Sequence, residues 1–181
     1  MWMFISALVV GLEVTAVASS SPSINQEEQA VYETALSSWL GANEAPQLVN
    51  VELSAPPSAS APEFRQCAKG LRFSAPGIAQ TSLAGVAFKR RGITLIEGSR
   101  WSPVDPGQAI REGKSVEGAV EQGNSHSLIS FSRIAFTRNG NDALVNMGMV
   151  CGMLCGSGST LHLHKSSSRW TVVGRCGGWI S

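Results

Sequence analysis

Cationic side chains are missing from the first third of the chain, where no Lys or Arg precedes Arg65. Residues 1–64 hold seven carboxylates, a charge of −7, and residues 65–181 hold 14 Lys and Arg against six carboxylates, a charge of +8. An acidic segment folded against a basic one cancels its field within a Debye length of about 8–10 Å. Aromatics are scarce too, at 7% with one tyrosine, and no dense basic run is interleaved with them. This argues against a nucleic-acid partner, which needs both stacking rings and a cationic track.

Catalytic signatures are equally sparse. No serine stands in a G-x-S-x-G context, and no carboxylate pair has the spacing of an acid/base couple. Gly156-Ser157-Gly158-Ser159 reads as a turn, because no Lys-Ser/Thr follows to open a helix around phosphate. A long apolar span is also absent. Ala143–Leu161 has no charge, and Gly148, Gly152 and Gly156 recur at the spacing of a close-packed membrane helix. Yet Asn146, four glycines, two serines and Thr160 fill eight of those 19 positions, too many for insertion.

What remains is a globular composition, 43% hydrophobic and 15% charged over 181 residues, enough for one core. Trp2–Leu12 is mostly apolar, and Ala16-Val17-Ala18 supplies small residues before Ser19. Residues 1–18 therefore read as an export signal, with 19–181 a single domain. An uncleaved N-terminal anchor or a misassigned start is the alternative, since the α-amine is the only charge ahead of the apolar core and Glu13 falls where that core ends. The membrane enters this reading only through such an uncleaved segment.

Asn25–Leu40 reads as the best helix. Val31, Tyr32, Ala35, Leu36, Trp39 and Leu40 make one apolar stripe, Asn25 and Glu28 form a capping-box pattern, and Gly41 ends it. Leu48–Leu53 reads as a strand that the Pro-rich Ser54–Pro62 cannot continue. Glu63–Ala75 reads as a short helix carrying Cys67, Ile93–Glu97 as a strand, and Pro106–Gln122 as a helix weakened by Gly107, Gly113 and Gly118. Lys89-Arg90-Arg91 reads as a solvated turn.

From Ser127 onward the pattern is a four-strand antiparallel meander. Asn139-Gly140 signals a two-residue turn. Ala143, Val145, Met147, Met149 and Cys151 alternate on one face, and Ser166–Ser168 turns the chain toward Trp170, Val172 and Val173. Ile129 and Phe131 share one parity while Ile134 and Phe136 share the other, which a bulge near Ser132 reconciles.

Several of these residues form a pattern. Val31-Tyr32, Ser132-Arg133-Ile134-Ala135-Phe136, Ala143-Leu144-Val145, Cys151-Gly152 with Leu154-Cys155-Gly156, Lys165, Trp170 and Trp179-Ile180-Ser181 resemble a group of exported bacterial proteins of unknown function. That pattern runs VYxxxL, SRVGF, ALVYV, CGxLCGxG, LxKxxGxW and WIS. This chain departs from it with Ala135 before Phe136 and Ser167-Ser168 where Gly is usual. The resemblance implies an exported helix-on-sheet protein and carries over no catalytic residue.

The four cysteines pair if the compartment oxidises them. Cys151 and Cys155 lie close across a Gly-rich loop, leaving Cys67 with Cys176. Zinc is the alternative, though C-x₃-C with two singletons is not a pair of knuckles. A redox role for Cys151 and Cys155 lacks the helix N-terminus that stabilises a thiolate. His162 and His164 share a strand face, as two zinc ligands would or as two polar residues on a wet face would, and His126 is the only other histidine. No cofactor is implied.

The expected fold is α+β: an N-terminal helix packed on a curved antiparallel β-meander, like a cystatin or a nuclear-transport-factor cone. The expected role is an exported, non-enzymatic domain binding a small ligand or an envelope protein. The alternative is a small metal-dependent or hydrolytic enzyme using His162 and His164, with His126 the remaining histidine for a third position.

Overall fold

The computed structural model describes residues 24–42, 45–57, 67, 70–74, 81–152 and 155–181. The export signal expected at 1–18, residues 63–66, 68–69 and 75 of the expected Glu63–Ala75 helix and the tip of the Cys151–Cys155 connection lie outside the described residues. Residues 70–74 are not helical, since Phe73 bridges to Thr137 beside the sheet.

Helix α1 (Gln26–Leu40) starts where the capping box predicts: Asn25 Oδ1 accepts from the Glu28 N–H and a Glu28 carboxylate oxygen accepts from the Asn25 N–H. Its buried stripe of Val31, Tyr32, Ala35 and Leu36 lies on the sheet. Gly41, at φ +54°, ends it. Both ends are pinned. Glu27 accepts from Lys165 Nζ at 2.7 Å and from Trp170 Nε1 at 3.0 Å. Arg175 donates to Ser38 O at 2.8 Å and stacks its guanidinium over Trp39. Acidic helix thus meets basic strands, as the offset charges imply. Midway along, Tyr32 donates its hydroxyl to Ser132 O at 3.0 Å, and burial pushes that phenol above its usual range, with Glu28 adding to the effect.

The strands are β1 (Gln47–Asn50), β2 (Ile93–Ile96), β3 (Leu128–Phe131), β4 (Ala135–Phe136), β5 (Asp142–Gly152), β6 (Cys155–Ser166) and β7 (Arg169–Ile180). They form one sheet in the order β2-β1-β3-β5-β6-β7, with β4 also on β5. The class is α+β, but the sheet is mixed rather than wholly antiparallel: β1 pairs in parallel with both β2 and β3. Two short helices make the crossover from β2 to β3. One weak helix was expected at 106–122. The chain instead forms α2 (Pro106–Arg111), capped by Asp105, and α3 (Val116–Ser125), capped by Ser115, because Gly113 sits at φ +96° between them.

From β3 to β7 the meander follows the alternation, and Ala143–Leu161 lies in a strand hairpin rather than a membrane helix. No described helix is long and apolar enough to cross a membrane. β3 and β4 are the expected single strand broken near Ser132. Phe131 faces Met147 and Ala135 faces Leu144, an offset of one residue that lets Ile129, Phe131 and Ile134 all reach the core. Asn139-Gly140 is not a two-residue turn; it sits in the four-residue loop 138–141, closed by the Thr137 N–H on Asp142 O at 2.9 Å. Apolar side chains of β3, β5 and β6 and the helix stripe make the main core on one face of the sheet. The opposite face carries a smaller apolar cluster around Cys67, Ala135 and Leu144.

Candidate functional site

The face away from α1 is where apolar alternation gives way to glycine and hydroxyl groups. In register across β3, β5, β6 and β7 stand Ser130, Gly148, Gly158 and Trp179. One pleat along, Ser132 donates its N–H to Asn146 O, Asn146 faces Thr160, and Thr160 faces Cys176. Directly paired residues project to the same side, so these rows form one surface.

The glycines determine how Trp179 lies. A Cβ on Gly158 would collide with Nε1 and stand 2.8 Å from Cε2; one on Gly156 would stand 2.9 Å from Cζ3, and one on Gly148 3.3 Å from Cζ2. Three corners of the indole therefore rest just above three glycines, and the ring lies flat on the sheet. Its other face is turned outward, and the residue is 48% exposed. The chain end holds it there, with the Ser181 N–H on Gly156 O at 3.0 Å.

Beside the ring opens a cleft of about 420 Å³, lined chiefly by Ser54, Ser130, Ser132, Asn146, Thr160 and Trp179, within the range of small-ligand sites. Among the described residues no lining side chain is charged. Ser132 Oγ is fully used, donating to Arg133 O and accepting the Asn146 N–H, both at 2.8 Å. Thr160 Oγ1 donates to Asn146 Oδ1 at 2.7 Å, which orients the amide. Among the described residues nothing pairs with Asn146 Nδ2 or Ser130 Oγ, and Asn146 is exposed. Cys67 and Cys176 border the cleft, with Cα atoms 5.4 Å apart. Cys151 and Cys155, 5.2 Å apart, close the β5–β6 hairpin from strand positions rather than from a loop. Both pairs are at disulfide distance.

His162 and His164 do share a face, and it is not simply wet. His162 Nε2 and His164 Nδ1 each lie 2.9 Å from Asp142 Oδ1, and the Asp142 side chain is only 11% exposed. Burial alone would raise the Asp142 carboxyl; hydrogen bonds from His164 and His162, reinforced by their charge, outweigh it and hold the carboxyl below its usual range. His126 does not join them. It caps α3 with its ring on Gln122 O, beside β3, whose Leu128 faces Val150. His164 faces Asp142, eight residues back along β5, roughly 27 Å away. Among the described residues no group of three or more His, Cys, Asp or Glu is arranged to hold a metal ion.

Sequence reasoning missed the cleft because its floor is glycine. The signal was present: Gly148, Gly156 and Gly158 fall on one face of two paired strands, and the closing Trp179-Ile180-Ser181 supplies a large side chain to cover them. Compared with known proteins, the chain matches no family model, no curated protein and no solved structure.

Proposed function

We propose that the protein is an exported, disulfide-stapled binding domain whose ligand sits on Trp179 in the hydroxyl-lined cleft. The observation that carries this reading is the indole held flat over Gly148, Gly156 and Gly158 with its outer face open. The two cysteine pairs suit an oxidising compartment, and the apolar N-terminal stretch with its Ala16-Val17-Ala18 site supplies the route out. An envelope protein is the alternative occupant. The likeness to a cystatin or transport-factor cone is supported by α1 lying across β5, β6 and β7 and weakened by the parallel pairs at β1. The test is a thermal-shift screen of small polar molecules against wild type and Trp179→Ala. A compound that raises the melting temperature of wild type alone supports the reading; no stabilising compound, or equal shifts in both, removes it.

A second reading has its own observation. His164 presents Nδ1 to a buried carboxylate, which leaves Nε2 of a 46% exposed side chain turned outward, the orientation of a general base. Under it the protein is a small hydrolytic or metal-dependent enzyme. Stoichiometric zinc lost on His162→Ala, or ester hydrolysis lost on His164→Ala, would support it. Neither metal nor turnover in wild type would dismiss it.

A further inference from the structure

We infer that the Trp179 cleft takes a neutral carbohydrate, stacked on the outer face of the indole and hydrogen-bonded by Asn146 and Ser130; this rests on the cleft being the ligand seat. A pyranose has an apolar C–H face and a rim of hydroxyls, so it matches a flat aromatic surface bordered by neutral donors and acceptors. Trp179 supplies the flat surface, since glycines beneath it hold the ring parallel to the sheet. The rim is supplied by groups left over from the protein's own bonding. Thr160 takes Asn146 Oδ1, so Nδ2 is turned out as a donor, Ser130 Oγ both donates and accepts, and Ser54 Oγ on the far wall, whose proton goes to Phe131 O, accepts.

Charge and polarity narrow the class. With no Lys, Arg, Asp or Glu among the described lining residues, a phosphate or carboxylate would lose its hydration without gaining a cationic partner there. A nucleotide would stack its base on the indole, but its phosphates would find no cation among the described lining residues. A wholly apolar ligand would strand the Asn146 and Ser130 groups without water. The row from Ser130 to Trp179 crosses three strand spacings, about 14 Å, so the seat extends beyond one ring and suits a short oligosaccharide. The platform exists before binding: the glycine strands β5 and β6 are paired on both sides, β7 is paired to β6, and the Cys67–Cys176 link braces the edge, which keeps the ordering cost low.

The experiment uses the oxidised protein on an array of neutral oligosaccharides. Maltotetraose, cellotetraose, chitotetraose and any array hit are then titrated by calorimetry, with indole and adenosine monophosphate as non-sugar probes. The expected result is binding of at least one neutral oligosaccharide, unchanged between low and high salt. Asn146→Ala should weaken it about tenfold, the loss of about 1.4 kcal/mol. Trp179→Ala should abolish it and Trp179→Phe retain part of it. Should Trp179→Ala fail to fold, the Phe and Asn146 variants carry the comparison. No sugar bound while indole or the nucleotide binds in a Trp179-dependent way overturns the carbohydrate assignment and spares the cleft. No probe bound in a Trp179-dependent way overturns both. A sugar bound equally by wild type and Trp179→Ala also overturns the assignment.

Discussion

Ser167 and Ser168 turn the β6–β7 hairpin at φ of 48° and 65°. Two consecutive positive values are what a tight hairpin turn needs, and Asn-Gly satisfies them without strain. A side chain with a Cβ in that region costs roughly 1–2 kcal/mol. We therefore expect Ser167→Asn with Ser168→Gly to raise stability by about 1 kcal/mol, read as an upward shift in urea midpoint. The sequence marked this turn correctly, and also marked the departure from Gly there, but backbone sign is invisible in serine. Asp142 makes a pH-dependent contribution at the same scale. Its folded-state carboxyl lies below the ordinary value of 3.8, so its stabilising effect is complete above that value and is lost as pH falls through the lowered one. Asp142→Asn should lower stability at neutral pH and flatten the part of the acid-unfolding curve below about pH 4. An unchanged curve would mean that the two imidazoles do not bond the carboxylate in solution. Alternation put His162 and His164 on one face; their shared acceptor, twenty residues upstream, required the register of β5 against β6.

At the scale of elements, the helix and the meander were legible because each follows a strong period. The stripe from Val31 to Leu40 and the alternation from Ala143 to Cys151 leave one reading each. β1 and β2 were legible as strands, at Leu48–Leu53 and Ile93–Glu97, but runs this short carry no mark of strand direction, so their parallel pairing was not. The α2–α3 crossover brings the chain from β2 back to β3 in the same direction, on the other side of β1. The attachment of α1 was also hidden, although its parts were all visible. Glu27 accepts from Lys165 and Trp170, which lie 138 and 143 residues away. Glu27→Ala would strand the indole N–H of Trp170, itself 5% exposed, so about 1–2 kcal/mol of stability should be lost. Chemical denaturation measures that loss, and Lys165→Met should cost less because Trp170 keeps its acceptor. The outer strand β7 is interrupted at Val173 and Gly177, where the register with β6 shifts. Such bulges twist an edge strand away from flat pairing with another chain.

For the whole molecule, two crosslinks of very different reach hold the chain. Cys67 and Cys176 are 109 residues apart and Cys151 and Cys155 four apart. Loop-closure entropy assigns about 5 kcal/mol to the long link and about 2 kcal/mol to the short one. The Cys67→Ser/Cys176→Ser protein should therefore melt well below the Cys151→Ser/Cys155→Ser protein, with calorimetry giving the order. The long link also ties the cleft edge to β7, so its loss should weaken the Trp179 seat while loss of the short link leaves it in place. Tyr32, Lys165, Trp170 and the cysteines hold the fold, whereas Trp179 with Gly156 builds a surface turned toward solvent.

The most direct test of that surface is the indole N–H signal of Trp179 in ¹⁵N-labelled protein, assigned by its loss in Trp179→Phe. The signal should move on addition of a neutral oligosaccharide. In Gly158→Ala, where a new methyl lifts the ring, its free position should change and the response should vanish. A signal that ignores every sugar, or that sits and responds identically in Gly158→Ala, would contradict a flat indole held ready on glycine.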